Sequence, residues 1–121
     1  MRLYYKIIIW VFVIAYLCFA PADEFKKVHI TIPHFDKLVH FGMFFILGVL
    51  IASISYKQKS IFNTKALPIL AIIYGGVIEV IQYYYIQSRS GDLFDWFFDI
   101  TGLIIAIKIF TYIPKTVKTL F

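Results

Sequence analysis

Only one cysteine, Cys18, occurs in the 121 residues, so no internal disulfide forms, and no lipobox precedes it. Set in an apolar run without an electropositive, accessible surrounding, it reads as a small core residue rather than a reactive thiol. Acidic residues are scarce, seven against twelve lysines and arginines. The formal charge of +5 still does not describe a nucleic-acid surface, because the basic residues sit at the ends of apolar runs and not in one patch with exposed aromatics. There is no repeat, low-complexity tract or linker, and residues 1–121 read as a single domain. Ser88 and Ser90 lack the partners of a catalytic triad. No stretch has metal-ligand spacing stringent enough to assign a metal, and no cofactor is called for.

What the chain has in excess is apolar surface. Hydrophobic residues make up 61% and aromatics 20%, with a mean hydropathy of +0.82, well above the roughly half-apolar composition of soluble domains. Four runs carry it. Leu3 to Ala20 is interrupted only by Lys6, Leu38 to Tyr56 has His40, Ala66 to Ile86 has Glu79, and Leu93 to Ile113 has Asp95, Asp99 and Lys108. Each meets the roughly 20 helical residues a bilayer core requires. Barrel strands alternate in short segments, and these runs do not. The expectation is an all-α integral membrane four-helix bundle, with helices at about 3–20, 38–56, 66–86 and 93–113 and short loops that make neighbours antiparallel.

Pro21 ends the first helix. Residues 1–22 also resemble a signal peptide, with Ala20-Pro21-Ala22 as the cleavage-like site. An apolar core of this length is long for a signal, and its removal would leave three spans, so an uncleaved first helix is expected. In the loop that follows, "VHITIP" is β-branched enough for a short extended piece, with His29 and His34 solvated. Eight basic residues flank one side of the expected spans (Arg2, Lys6, Lys57, Lys59, Lys65, Lys108, Lys115, Lys118) and four the other (Lys26, Lys27, Lys37, Arg89). The positive-inside rule then places both termini in the cytoplasm. Tyr83, Tyr84, Tyr85 and Trp96 suit an outer aromatic belt, Tyr56 and Tyr112 an inner one.

The polar residues inside these runs are not scattered. Asp36 and His40 share a face of the second helix; Lys37 beside them reads as a snorkelling anchor. Gly75, Glu79 and Gln82 form one stripe on the third helix, and Asp92, Asp95, Asp99, Gly102 and Ala106 form one seam on the fourth, acidic outside and small inside. At about 1.5 Å per residue, His40 lies about 6 Å inward of Asp36, and Glu79 and Asp99 each about 10 Å inward of their helix ends. Three helices therefore bring their polar faces to one depth, with Arg89 in the turn above. A structural network is the bland alternative. Interhelical hydrogen bonds in membranes average well under ~1 kcal/mol, whereas a mid-bilayer charge costs at least ~2.5 kcal/mol, which favours a functional polar cavity.

"DKLVHFGMFFILG" (Asp36 to Gly48), "EVIQ" (Glu79 to Gln82) and "RSGDLFDWFFDITG" (Arg89 to Gly102) together resemble the VanZ-like family of small membrane proteins. That family's pattern opens Asp-Lys-x-x-His-Phe, continues with Glu-x-x-Gln, then Arg, Asp, Asn and Gly. Asp36, Lys37, His40, Glu79, Gln82, Arg89, Asp95 and Gly102 meet it; Asp99 stands where the family more often has Asn. The resemblance implies a bacterial cytoplasmic-membrane protein associated with the cell envelope, whose founding members are linked to teicoplanin resistance. On this reading an outward cavity binds or modifies an anionic lipid or lipid-linked envelope precursor. Asp36, Gln82, Arg89, Asp92, Asp95 and Asp99 would contact the ligand, while Glu79 and His40 would exchange a proton. The alternative is a non-enzymatic transport or envelope-interaction module using intramembrane carboxylates as a proton relay or helix partner. A carrier of four short spans would need a second copy, so homo-oligomerisation stays open.

Overall fold

The computed structural model describes residues 4–19, 35–58, 60, 62–85 and 93–118, the side chains of residues 35, 36 and 62 excepted. Among the described residues five α-helices follow in order: α1 (Tyr5–Phe19), α2 (Phe35–Lys57), α3 (Leu67–Tyr85), α4 (Leu93–Tyr112) and the single turn α5 (Lys115–Lys118). No strand occurs among the described residues. The "VHITIP" piece and the turn holding Arg89 and Asp92 lie outside them. Two helical stretches, Lys37–Lys57 and Asn63–Tyr85, are long and apolar enough to cross a membrane. α1 is apolar but shorter at 15 residues, and α4 carries Asp95, Asp99 and Lys108.

A π-helical turn, Phe62–Ala66, leads into α3, and Pro68 falls in the first turn, where a missing N–H costs no helix bond. Asn63 is buried and joins three segments. Its side-chain oxygen accepts from Tyr4 Oη at 2.6 Å, its Nδ2 donates to the Gln58 carbonyl at 2.8 Å, and its own carbonyl accepts from Ser55 Oγ at 2.7 Å. At the other end of the chain Pro114 closes α4. Its carbonyl accepts the Val117 and Lys118 N–H groups, which begins α5.

The most extensive contact is α2 against α4. It is close because small residues face it from both sides. A Cβ added to Gly48 would meet the Leu103 carbonyl oxygen at 2.7 Å and Ala106 Cβ at 2.8 Å, and one added to Gly102 would collide with the Phe41 carbonyl oxygen. Around this seam Met43, Phe44, Leu47, Ile51, Ile78 and Leu103 form the core, and Ile14 and Cys18 bring α1 onto it. Side chains then tie helices together through backbone carbonyls. Trp10 Nε1 donates to Met43 O at 2.8 Å, Tyr74 Oη donates to Val11 O, and Trp96 Nε1 donates to Ile72 O at 2.9 Å. Trp96, expected in an interfacial belt beside Tyr83–Tyr85, is instead half-buried with its indole against Gly76. The indole N–H finds its acceptor on α3 and the ring fills the space the glycine leaves. Outward faces are apolar, including Phe12, Tyr16, Ile73, Val80, Phe94 and Phe97.

Alanine at Gly102 or Gly48 should therefore lower unfolding stability in detergent by ~1 to 3 kcal/mol, the usual cost of overpacking. Gly42→Ala serves as the control, since nothing lies within 4 Å of its added Cβ; it should be neutral or slightly stabilising through helix propensity. Equal losses at all three positions in thermal or denaturant melts would show that the α2–α4 approach does not depend on the two glycines.

Candidate functional site

The polar groups that the sequence places on three separate helices meet around one imidazole. α2 contributes Lys37 and His40, three residues apart and so on one face. α3 contributes Glu79, and α4 contributes Asp95 and Asp99, four residues apart. His40, Glu79, Asp95 and Asp99 are all buried. The His40 ring N–H at Nδ1 donates to Asp99 Oδ1 at 2.9 Å, and the same nitrogen is 4.0 Å from Glu79 Oε1. The other ring nitrogen, Nε2, lies 3.8 Å from Asp95 Oδ2. Asp95 then reaches back to α2 through its other oxygen, 3.6 Å from Lys37 Nζ.

Lys37 is thus not the snorkelling anchor its position suggests. Its side chain is only 15% exposed and its ammonium is drawn inward to Asp95, because a charge partner in a poorly solvated interior outweighs the hydration it gives up. The signal was its spacing of three from His40. Gln82 is buried with the others, but its Nε2 donates to the Cys18 carbonyl at 2.7 Å. Cys18 is in the last turn of α1, where carbonyls have no helical partner, so Gln82 caps α1 from α3. The backbone of Asp36 lies in the first turn of α2; its side chain, Arg89 and Asp92 lie outside the described residues.

Asp99 is the carboxylate that hydrogen-bonds the imidazole. Its Oδ1 accepts from His40, while its Oδ2 is buried with no hydrogen-bond partner among the described residues. That oxygen faces Gly75, where an added Cβ would come within 3.1 Å of it. Gly75 stands four residues before Glu79 on the same stripe, so Asp99 is seated by the absence of a side chain on α3. Beside the cluster an apolar groove of about 830 Å³ runs between α3 and α4, lined by Ile73, Val77, Val80, Leu93 and Trp96, and Glu79 is part of its wall.

Chemically, the arrangement suits either of two tasks. An imidazole oriented by one carboxylate and facing others can pass a proton. The same nitrogen and oxygen donors can hold a cation.

Replacing Gln82 by Leu should cost ~1 to 3 kcal/mol of unfolding free energy, since it strips the donor from a buried carbonyl. Thermal melts would show this as a lowered midpoint, and an unchanged midpoint would remove Gln82 from the α1–α3 tie. No family model, no curated protein and no solved structure matches this chain, so the functional reading rests on its own residues.

Proposed function

We propose that the protein is a multi-pass bacterial cytoplasmic-membrane protein of the VanZ-like type, a four-helix bundle whose outward-facing polar cavity binds or modifies an anionic lipid or lipid-linked envelope component. The observation that carries this reading is the buried group of His40, Glu79, Asp95 and Asp99 beside an apolar groove that shares Glu79 with it. A lipid has that bipartite character: the groove suits an acyl or polyprenyl chain, and the cluster suits the reacting or recognised headgroup. The apolar outward faces of α1, α3 and α4 are too extensive for water and suit a hydrocarbon surround. In that medium, several buried ionisable groups at one depth mark a working site.

Within the site the roles divide by chemistry. Arg89 is the candidate anion contact, because a planar guanidinium grips phosphate or carboxylate through two parallel hydrogen bonds. His40 and Glu79 are the candidate proton-exchanging pair, with Asp99 holding the imidazole. Lys37 neutralises the outer oxygen of Asp95.

Two measurements test this. First, the detergent-purified chain should retain phosphatidylglycerol or a polyprenyl phosphate over phosphatidylcholine in native mass spectrometry. Arg89→Lys and Arg89→Gln should stay folded and lose at least about tenfold in that retention, equivalent to ~1.4 kcal/mol. Phosphatidylcholine retained equally well, or Lys replacing Arg without loss, would count against the anion site. Second, with Cys18→Ser as background, a membrane-impermeant thiol reagent applied to intact cells should label Ser90→Cys and not Gln58→Cys, whose position is exposed beyond α2. The reverse pattern would turn the cavity to the cytoplasm and end the envelope-precursor reading.

A further inference from the structure

We propose that His40, Glu79 and Asp95 form a binding site for a divalent first-row transition-metal ion, Zn²⁺ or Mn²⁺, with Asp99 as the residue that orients the histidine ligand. The sequence has no metal-binding motif because the three donors come from three helices. In space their ligand atoms all lie within 4.8 Å of one another, and all three residues are buried. Three atoms no more than 4.8 Å apart share a point about 2.8 Å from each, so closing to the roughly 2.1 Å of a metal bond moves each donor by ~0.7 Å.

The histidine is already arranged as a ligand. Its Nδ1 is taken by Asp99 Oδ1 at 2.9 Å, which fixes the tautomer and leaves the Nε2 lone pair facing Asp95 Oδ2 at 3.8 Å. A carboxylate behind a ligating imidazole is the usual second layer of such sites, raising the basicity of the ring and holding its plane. Lys37 takes the other oxygen of Asp95, so this carboxylate presents Oδ2 inward. Asp99 is itself held in place, its side chain only 2% exposed and its Oδ2 set against Gly75. One imidazole and two carboxylates suit Zn²⁺ or Mn²⁺ rather than a soft thiophilic ion. Three protein ligands leave coordination positions open, as in sites that work on a substrate rather than sites that only brace a fold. Glu79 also lines the groove, so an open position on that side could accept a phosphoryl or carboxyl oxygen. This deepens the proposed function by supplying the electrophile for its anionic headgroup, with His40 and Glu79 then acting as ligands in place of the proton exchange, and rests on that reading only for the identity of the headgroup. The competing arrangement is a protonated His40 that pairs with the same carboxylates and admits no ion.

The test uses the full-length chain in detergent, without lipid, carrying His29→Gln and His34→Gln so that His40 is its only histidine. After stripping with EDTA, Zn²⁺ and Mn²⁺ are titrated with equilibrium dialysis and elemental analysis, and the Mn²⁺ form is read by pulsed electron paramagnetic resonance. A single ion per chain should bind more tightly than about 0.1 mM, with coupling to one imidazole nitrogen. His40→Gln, Glu79→Gln and Asp95→Asn should each weaken binding at least about tenfold, and Asp99→Asn by roughly 10- to 100-fold, the range for a lost orienting partner. Ser55→Ala, outside the cluster, should leave it unchanged. If a ligand variant fails to fold, the nitrogen coupling in the folded His40-only protein decides the matter. Absence of stoichiometric binding, binding without that coupling, or binding indifferent to His40→Gln overturns the site. Phosphatidylglycerol retained by protein that binds no metal would sink this inference and leave the proposed function standing; metal bound without lipid selectivity would do the opposite.

Discussion

Two helices that carry opposite charges can share a buried site only if their backbones come close enough for short side chains to meet. Here Gly102 against the Phe41 carbonyl, and Gly48 against Leu103 and Ala106, set that approach between α2 and α4. Asp95 and Asp99 have the shortest acidic side chains available, and at a wider helix separation neither would reach His40. The 2.9 Å bond between His40 and Asp99 is thus a consequence of glycine placement one turn further along the seam. Gly75 does the same on the third side, leaving Asp99 a place against α3 that any Cβ would crowd.

The rest of the structure supports that junction by using side chains to engage backbone carbonyls on neighbouring helices. Trp10, Tyr74, Gln82 and Trp96 each donate to a main-chain oxygen of another helix. Such bonds fix the rotation and height of a helix relative to its neighbour. They are worth most where water cannot replace them. They also explain why a cluster of three carboxylates and a histidine is tolerable: breaking one partner from a buried charged group typically costs ~3 to 5 kcal/mol, so a rigid surround that keeps every partner in reach is required. In the proposed membrane setting these constraints tighten, since hydrocarbon offers no alternative hydrogen-bond partners.

Much of this was legible in the chain. Helices α2, α3 and α4 follow the apolar runs to within a few residues, because long uninterrupted hydrophobic segments have few other ways to satisfy their backbones. The stripes also read correctly at the level of faces: Gly75, Glu79 and Gln82 are buried together on α3, as are Asp95, Asp99, Gly102 and Ala106 on α4. Helical period alone gives that result. Partner choice was not legible. Lys37 looked like an anchor and serves Asp95; Trp96 looked interfacial and packs on Gly76.

Local hydropathy and helical period along each segment were enough to give the helical class, the extents of α2, α3 and α4 and which polar residues share a helix face. It took the packing of the helices to set which nitrogen of His40 faces which carboxylate, that the Gln82 amide donates to the Cys18 carbonyl of α1, and that His40, Glu79 and Asp95 converge within 4.8 Å. Those outcomes follow from the rotation and separation of helices distant in sequence. They are fixed by a few glycines and by side chains reaching carbonyls across the gap, and no spacing within one helix encodes them.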